Sequence, residues 1–157
     1  MSASTRPDRS VVLMFAGQGA QHPRMGAGLY GHDRTFSESM DEAFHLFGDH
    51  GERLYLEWLS KSPSSMYEDV CVAQPLLYAV NHALGRMLLE WGVRPAALIG
   101  HSVGELAAAS LAGVLDFAEG VRLLRGRMAQ SADTPPGGML AVAASVEAVA
   151  AVLDTNV

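Results

Sequence analysis

The segment Gly100-His101-Ser102-Val103-Gly104 sets a serine between two glycines in the pattern G-x-S-x-G. Such a serine is chemically useful where a strand turns sharply into a helix. The turn lifts Oγ into the open, and small flanking residues let the chain pass. The N–H of the following residue, Val103, then points at the charge that develops when Oγ attacks a carbonyl, with the helix N-terminus adding positive potential. The context fits, because Pro95–Gly100 reads as a short strand and a helix follows through about Leu111. The structural alternative is a glycine-rich helix start with Ser102 as its N-cap. A nucleophilic serine also needs a base. Of the six histidines, His101 adjoins Ser102, but neighbours at such a turn diverge. His82 falls within a long helix, and His32, His45 and His50 sit in polar contexts. His22 follows a glycine-rich loop and is the remaining candidate, but no convincing base is present.

The elements that must position Ser102 can be read from the same string. Val11–Phe15 is a continuous apolar run of the sort found in buried parallel strands. It breaks at Ala16-Gly17-Gln18-Gly19-Ala20-Gln21, where two glycines permit geometry that other residues resist. Without the Lys-Ser/Thr ending of a phosphate-binding loop, that segment is not a nucleotide site. A helix is expected from about Thr35 to Gly48, with Phe36, Met40, Ala43, Phe44 and Phe47 on one face, and a shorter one from Glu52 to Leu59. Gln74-Pro75 is expected to begin the clearest helix, since proline suits the first helical position, and Gly92 to end it. Ala112–Leu115 should bend, and Asp116 should cap a helix that carries Arg122, Arg125 and Arg127. Asp133–Gly138 reads as a linker, Met139–Ala144 as a strand and Val146–Leu153 as a helix. Strands separated by helices make the fold class α/β. Three strands are too few for a self-contained doubly wound sheet, so the chain reads as cut.

Composition narrows the classes. The chain has 157 residues, 49% hydrophobic and 18% charged, which suits one soluble globular domain. With a net charge of −6 and scattered Lys and Arg, it lacks the basic stripe of a nucleic-acid binder and is poorly suited to anionic membranes. The N-terminus has no apolar signal region, and no stretch is long enough to span a bilayer. The single cysteine, Cys71, lies between valines and reads as a buried thiol in a reducing compartment, so a cytoplasmic protein is the simplest inference.

Three segments together carry a specific resemblance. Phe15-Ala16-Gly17-Gln18-Gly19-Ala20-Gln21 resembles the F-x-G-Q-G-x-Q loop that opens malonyl-CoA:acyl-carrier-protein transacylases and the acyltransferase domains of polyketide synthases. Gly100–Glu105, followed by Ala107-Ala108-Ala109 and Ala112-Gly113-Val114, resembles their nucleophile segment, and Ala73-Gln74-Pro75 resembles a third family feature. The order and separations match from about Val11 to the end of the chain. The resemblance implies Ser102 as nucleophile, with the backbone N–H groups of Gln18 and Val103 holding the oxyanion, and it places Gln74 and His101 among the substrate-binding residues. It further implies an arginine, 25 residues after the serine, that grips the free carboxylate of a malonyl group; that spacing lands on Arg127. The family often has glycine directly after this arginine, and here Arg125 precedes Gly126. Aligning on Arg125 would delete two helical residues and turn everything beyond by about 200°, so Arg127 is preferred. Arg122 reads as structural or exposed. A small aliphatic residue at the Val103 position tends to accompany malonyl rather than methylmalonyl.

The family fold, as the resemblance implies it, has a large α/β part of hydrolase-like design, with a nucleophile elbow, and a smaller ferredoxin-like part. On this chain, residues 1–10 would be a polar lead-in, 11–132 the first part of the large subdomain, and 133–157 the linker and start of the small one. The implied reaction moves a malonyl-type group from coenzyme A to the phosphopantetheine thiol of an acyl carrier protein, in fatty-acid or polyketide synthesis, with the coenzyme A thioester as substrate and no bound cofactor or metal. The general-base histidine, about a hundred residues after the serine in this family, would lie beyond Val157. The chain is then a fragment, or a second polypeptide supplies the C-terminal half, or the product is a remnant. Alone it should have little transferase activity and should expose apolar surface. The rivals are a serine hydrolase or thioesterase sharing the turn, against which Gln18, Gln21 and Arg127 argue, and an inactive fragment.

Overall fold

The computed structural model describes residues 10–132 and 140–153. In chain order they form β1 (Val12–Phe15), α1 (Arg34–Leu46), α2 (Gly51–Leu59), α3 (Val70–Glu90), β2 (Ala97–Gly100), α4 (Val103–Leu111), α5 (Phe117–Ala132) and α6 (Val146–Leu153). The strands pair in parallel, from Val12 opposite Ala97 to Phe15 opposite Gly100. Parallel pairing requires a crossover, and α1 to α3 supply it. The result is an α/β arrangement around a small parallel sheet.

The expectation of strands buried on both faces needs correction. Leu13, Phe15 and Leu98 turn toward the core, where α4 packs on both strands. Alternation sends the intervening side chains the other way, and there Met14 is 78% and Ile99 49% exposed. Residues Leu140–Ala144, expected as a strand, form none and are exposed. An apolar string becomes a strand only when its backbone groups find a ladder, and among the described residues it finds none. The helix Val146–Leu153 does form, but it buries no residue. Met139 and the expected linker Asp133–Gly138 lie outside the described residues, as do 1–9 and 154–157.

α3 is the hub, packed against α1, α4 and α5. It starts earlier than expected. Asp69 caps it, accepting a 2.8 Å hydrogen bond from the Cys71 N–H, and Val72, Ala73, Leu76 and Leu77 are all buried. Pro75 therefore lies inside the helix rather than at its first position. The cap and the buried face outweigh the single backbone bond a proline removes. Against α3 packs an aromatic core that includes Phe36, Phe47, Trp58, Tyr67 and Tyr78, each nearly or wholly inaccessible. The Trp58 indole N–H is satisfied by the Met25 carbonyl at 2.8 Å. Asp116 caps α5 as expected, accepting from the Glu119 N–H at 2.6 Å.

His82 faces inward from α3, 5% exposed, with its ring stacked 4.0 Å from Phe117, centroid to centroid. Its Nδ1 has no partner among the described residues. Burial, with Arg86 adding repulsion, pulls its pKa down to about 4. The unfolded chain therefore binds a proton that the folded one refuses between pH 6.5 and about 4. Stability should be full above the upper limit and fall by roughly 3 kcal/mol as pH drops through that window. Urea denaturation across pH 4–7 should show this slope, and His82→Phe should flatten it. An unchanged slope in the variant would assign the acid sensitivity to other groups.

Candidate active site

Ser102 stands between β2 and α4 with φ 53° and ψ −122°. Among the described residues only Arg24 shares a positive φ without being glycine. Such a backbone costs on the order of 1–3 kcal/mol and persists only where the surroundings enforce it. Here both flanking glycines do so. A Cβ on Gly100 would lie 2.3 Å from the Glu105 nitrogen, and one on Gly104 would lie 2.2 Å from the Phe15 carbonyl oxygen. The strand end and the helix start thus touch backbone to backbone. Ser102 occupies the N-cap position of α4, yet its side chain makes no capping hydrogen bond, and the residue is exposed. The Gly104 N–H bonds to the His101 carbonyl and the Glu105 N–H to the Ser102 carbonyl, both at 2.9 Å. The Val103 N–H has no acceptor among the described residues, as the first position of a helix leaves it.

The loop after β1 lies directly on this turn. A Cβ on Gly17 would fall 2.6 Å from the His101 carbonyl oxygen, 2.8 Å from its Nδ1 and 3.0 Å from the Ser102 Cβ. The Gln18 N–H, one residue on, likewise has no acceptor among the described residues. A lattice of side chains holds the loop. Gln74 on α3 donates to the Gln18 side-chain oxygen at 3.0 Å, and the Gln18 amide donates to the Glu68 carbonyl at 3.4 Å. The Gln21 amide donates to the Glu68 carboxylate, and its oxygen accepts from the Gly19 N–H at 2.7 Å. Asn81 on α3 donates to the Ala16 carbonyl at 2.9 Å.

Two of the three arginines of α5, Arg125 and Arg127, part company, as residues two apart on a helix must. Arg125 donates to the Leu46 carbonyl at 3.4 Å, near the end of α1, and lines a recess of about 700 Å³ with His50, Arg53 and Met66. Arg127 lines a narrow crevice between α3 and α5 with Gln74, Cys71 and Leu124. Gln74 in turn contacts Gln18, so Arg127 stands on the side of the Ser102 loop, exposed and without an ion-pair partner among the described residues.

The family model of the acyl transferase domain matches residues 12–157. The chain belongs to the acyl transferase domain family. It is 39% identical over 149 residues to the mycoketide-CoA synthase of Mycobacterium tuberculosis, covering 93% of this chain and 4% of that protein. Among solved structures, it is 35% identical to the acyltransferase domain from the second module of the salinomycin polyketide synthase, at a TM-score of 0.72, covering 82% of this chain and 30% of that one. It is 29% identical, at a TM-score of 0.71, to a chain in the complex of a type II polyketide synthase acyl-carrier protein with its malonyl-transacylase, covering 83% of this chain and 41% of that one.

In this acyl transferase domain the expected residues fall into two groups. Ser102, Val103, His101 and the Gln18 loop converge at one turn, while Gln74 and Arg127 meet at the adjoining crevice. The His101 ring lies over Gly17. The His22 ring nitrogen lies 3.3 Å from the neighbouring Pro23 carbonyl, and His32, His45 and His50 are exposed. Cys71, expected to be buried, is partly exposed at the start of α3, and burial still raises its thiol pKa. Glu68 and Asn81 went unread in the sequence. Their only trace is that Asn81 follows Gln74 by seven residues, two turns along α3, with only apolar residues and Tyr78 between them. Among the described residues no helix is long and apolar enough to cross a membrane.

Proposed function

We propose that this domain transfers a malonyl-type acyl group from coenzyme A to the phosphopantetheine thiol of an acyl carrier protein through an ester on Ser102. The observation that carries the reading is the seating of the Gly17-Gln18 loop on the strained Ser102 turn, which brings to one serine two backbone donors, Gln18 and Val103, that have no acceptor among the described residues. We read this turn as a nucleophile elbow. Ser102 Oγ attacks the thioester carbonyl, giving its proton to a histidine contributed from outside the described residues. The developing oxyanion is held by the Gln18 and Val103 N–H groups and by the N-terminus of α4. Collapse breaks the C–S bond, and the coenzyme A sulfur leaves with that proton. The carrier thiol then repeats the attack on the Ser102 ester, its proton passing through the same base to Ser102 Oγ.

Arg127 binds the free carboxylate of the acyl group. A guanidinium offers two parallel N–H donors to a carboxylate, and Arg127 is the α5 arginine on the Gln74 side. Its lack of an ion-pair partner among the described residues leaves it available. The acyl-carrier-protein complex among the similar structures supports a carrier as acceptor.

The test is partition and selectivity in one assay. Ser102 loaded from malonyl-CoA should pass its acyl group to a holo carrier protein much faster than to water; release chiefly to water would make the protein a hydrolase. Arg127→Ala should lower loading from malonyl-CoA about a hundredfold while altering acetyl-CoA loading less than threefold. Equal losses for both would remove Arg127 from the carboxylate role.

A further inference from the structure

One polar side chain that this chemistry leaves idle touches the loop where it matters most. The Ala16 carbonyl is wedged between two elements. On one side it accepts a 2.9 Å hydrogen bond from the Asn81 amide on α3. On the other it presses on Gly104 of α4, where a Cβ would lie 2.8 Å from the same oxygen. The peptide that carries this carbonyl joins Ala16 to Gly17, and the next one carries the Gln18 N–H. Whatever fixes the first plane fixes the aim of the second to within one residue's torsions.

We infer that Asn81 is a positioning residue for acyl transfer, holding the Ala16–Gly17 peptide so that the Gln18 N–H points at the oxyanion above Ser102. The inference rests on the proposed roles of Ser102 and Gln18. The side-chain contacts of Gln18 and Gln74 fix the far side of the loop, and the near side has Asn81. Asn81 is half-buried, on the same stripe of α3 as Gln74. Nothing in the core requires an amide there, since its neighbours Val80, His82 and Ala83 are buried without it. An apolar residue of similar size would fill the same space but leave the Ala16 carbonyl without its donor.

The experiment compares Asn81→Asp and Asn81→Leu with the parent, in a complete domain that carries this segment and the activating histidine. Aspartate keeps the shape but replaces the donor with a carboxylate that repels the Ala16 carbonyl; leucine removes both polar ends. Loading of Ser102 from malonyl-CoA should fall about tenfold to a hundredfold in kcat, with KM within threefold, because a misaimed donor weakens the transition state and not the bound thioester. In the aspartate variant, lowering pH should restore part of the loss relative to the leucine variant, as the protonated carboxyl regains a donor. Melting temperatures should stay close to the parent in at least one variant. Parental kcat in a folded Asn81→Leu variant overturns the inference and leaves the role of Ser102 standing. A parent that never forms the Ser102 ester overturns both.

Discussion

Gly104→Ala should destabilise the protein by more than about 3 kcal/mol and abolish acyl loading. The new methyl group would lie 2.2 Å from the Phe15 carbonyl oxygen, 2.7 Å from its carbon and 2.8 Å from the Ala16 carbonyl oxygen. All three are backbone atoms, so no side chain can rotate away. Relief would require α4 to withdraw from the end of β1, and with it the Val103 N–H from the Gln18 loop. Gly126→Ala on α5 is the contrasting case, with no atom within 4 Å of its Cβ. In a helix that change should be neutral or stabilise by up to about 1 kcal/mol. Urea denaturation of both variants checks the pair. A Gly104→Ala variant as stable as the parent would mean that strand and helix are not held in contact as described.

The geometry of this turn was legible in the sequence because glycine marks it. Close backbone approach admits only glycine at Gly17, Gly100 and Gly104, so the spacing of these residues around Ser102 records the geometry directly. Arg127 came from its spacing of 25 residues after Ser102, with helix phase setting it apart from Arg125. The structure does separate the two, Arg125 reaching the Leu46 carbonyl and Arg127 lining the crevice with Gln74; the carboxylate role itself belongs to the proposal. Other features lacked such a mark. The start of α3 was misread because a proline rule met a stronger pair of determinants, the Asp69 cap and the buried Val72-Ala73 face. Leu140–Ala144 looked like a strand because composition alone does not reveal whether a partner strand is at hand. The hold of Glu68 and Asn81 on the loop spans 47 and 65 residues of sequence, and isolated long-range hydrogen bonds leave no periodic trace.

The exposed face bearing Met14 and Ile99 agrees with the expectation of uncovered apolar surface, since neither strand face is satisfied by one helix layer alone. The chain spans 30% and 41% of the two solved relatives described above. The proposed mechanism takes its base from the part of a complete domain that this chain does not span.

Ser102→Ala carries the other large expected effect. Removing the attacking oxygen should reduce acyl transfer on the order of a thousandfold or more, since oxyanion donors and binding alone cannot replace a nucleophile. The most direct measurement is intact mass spectrometry, with peptide mapping, of a complete domain that carries this segment and the activating histidine, after brief exposure to malonyl-CoA. The account predicts a gain of one malonyl group on Ser102 and none in Ser102→Ala. An acyl group mapping to another residue, or a gain that survives Ser102→Ala, would contradict it, as would a parent that gains no mass at all.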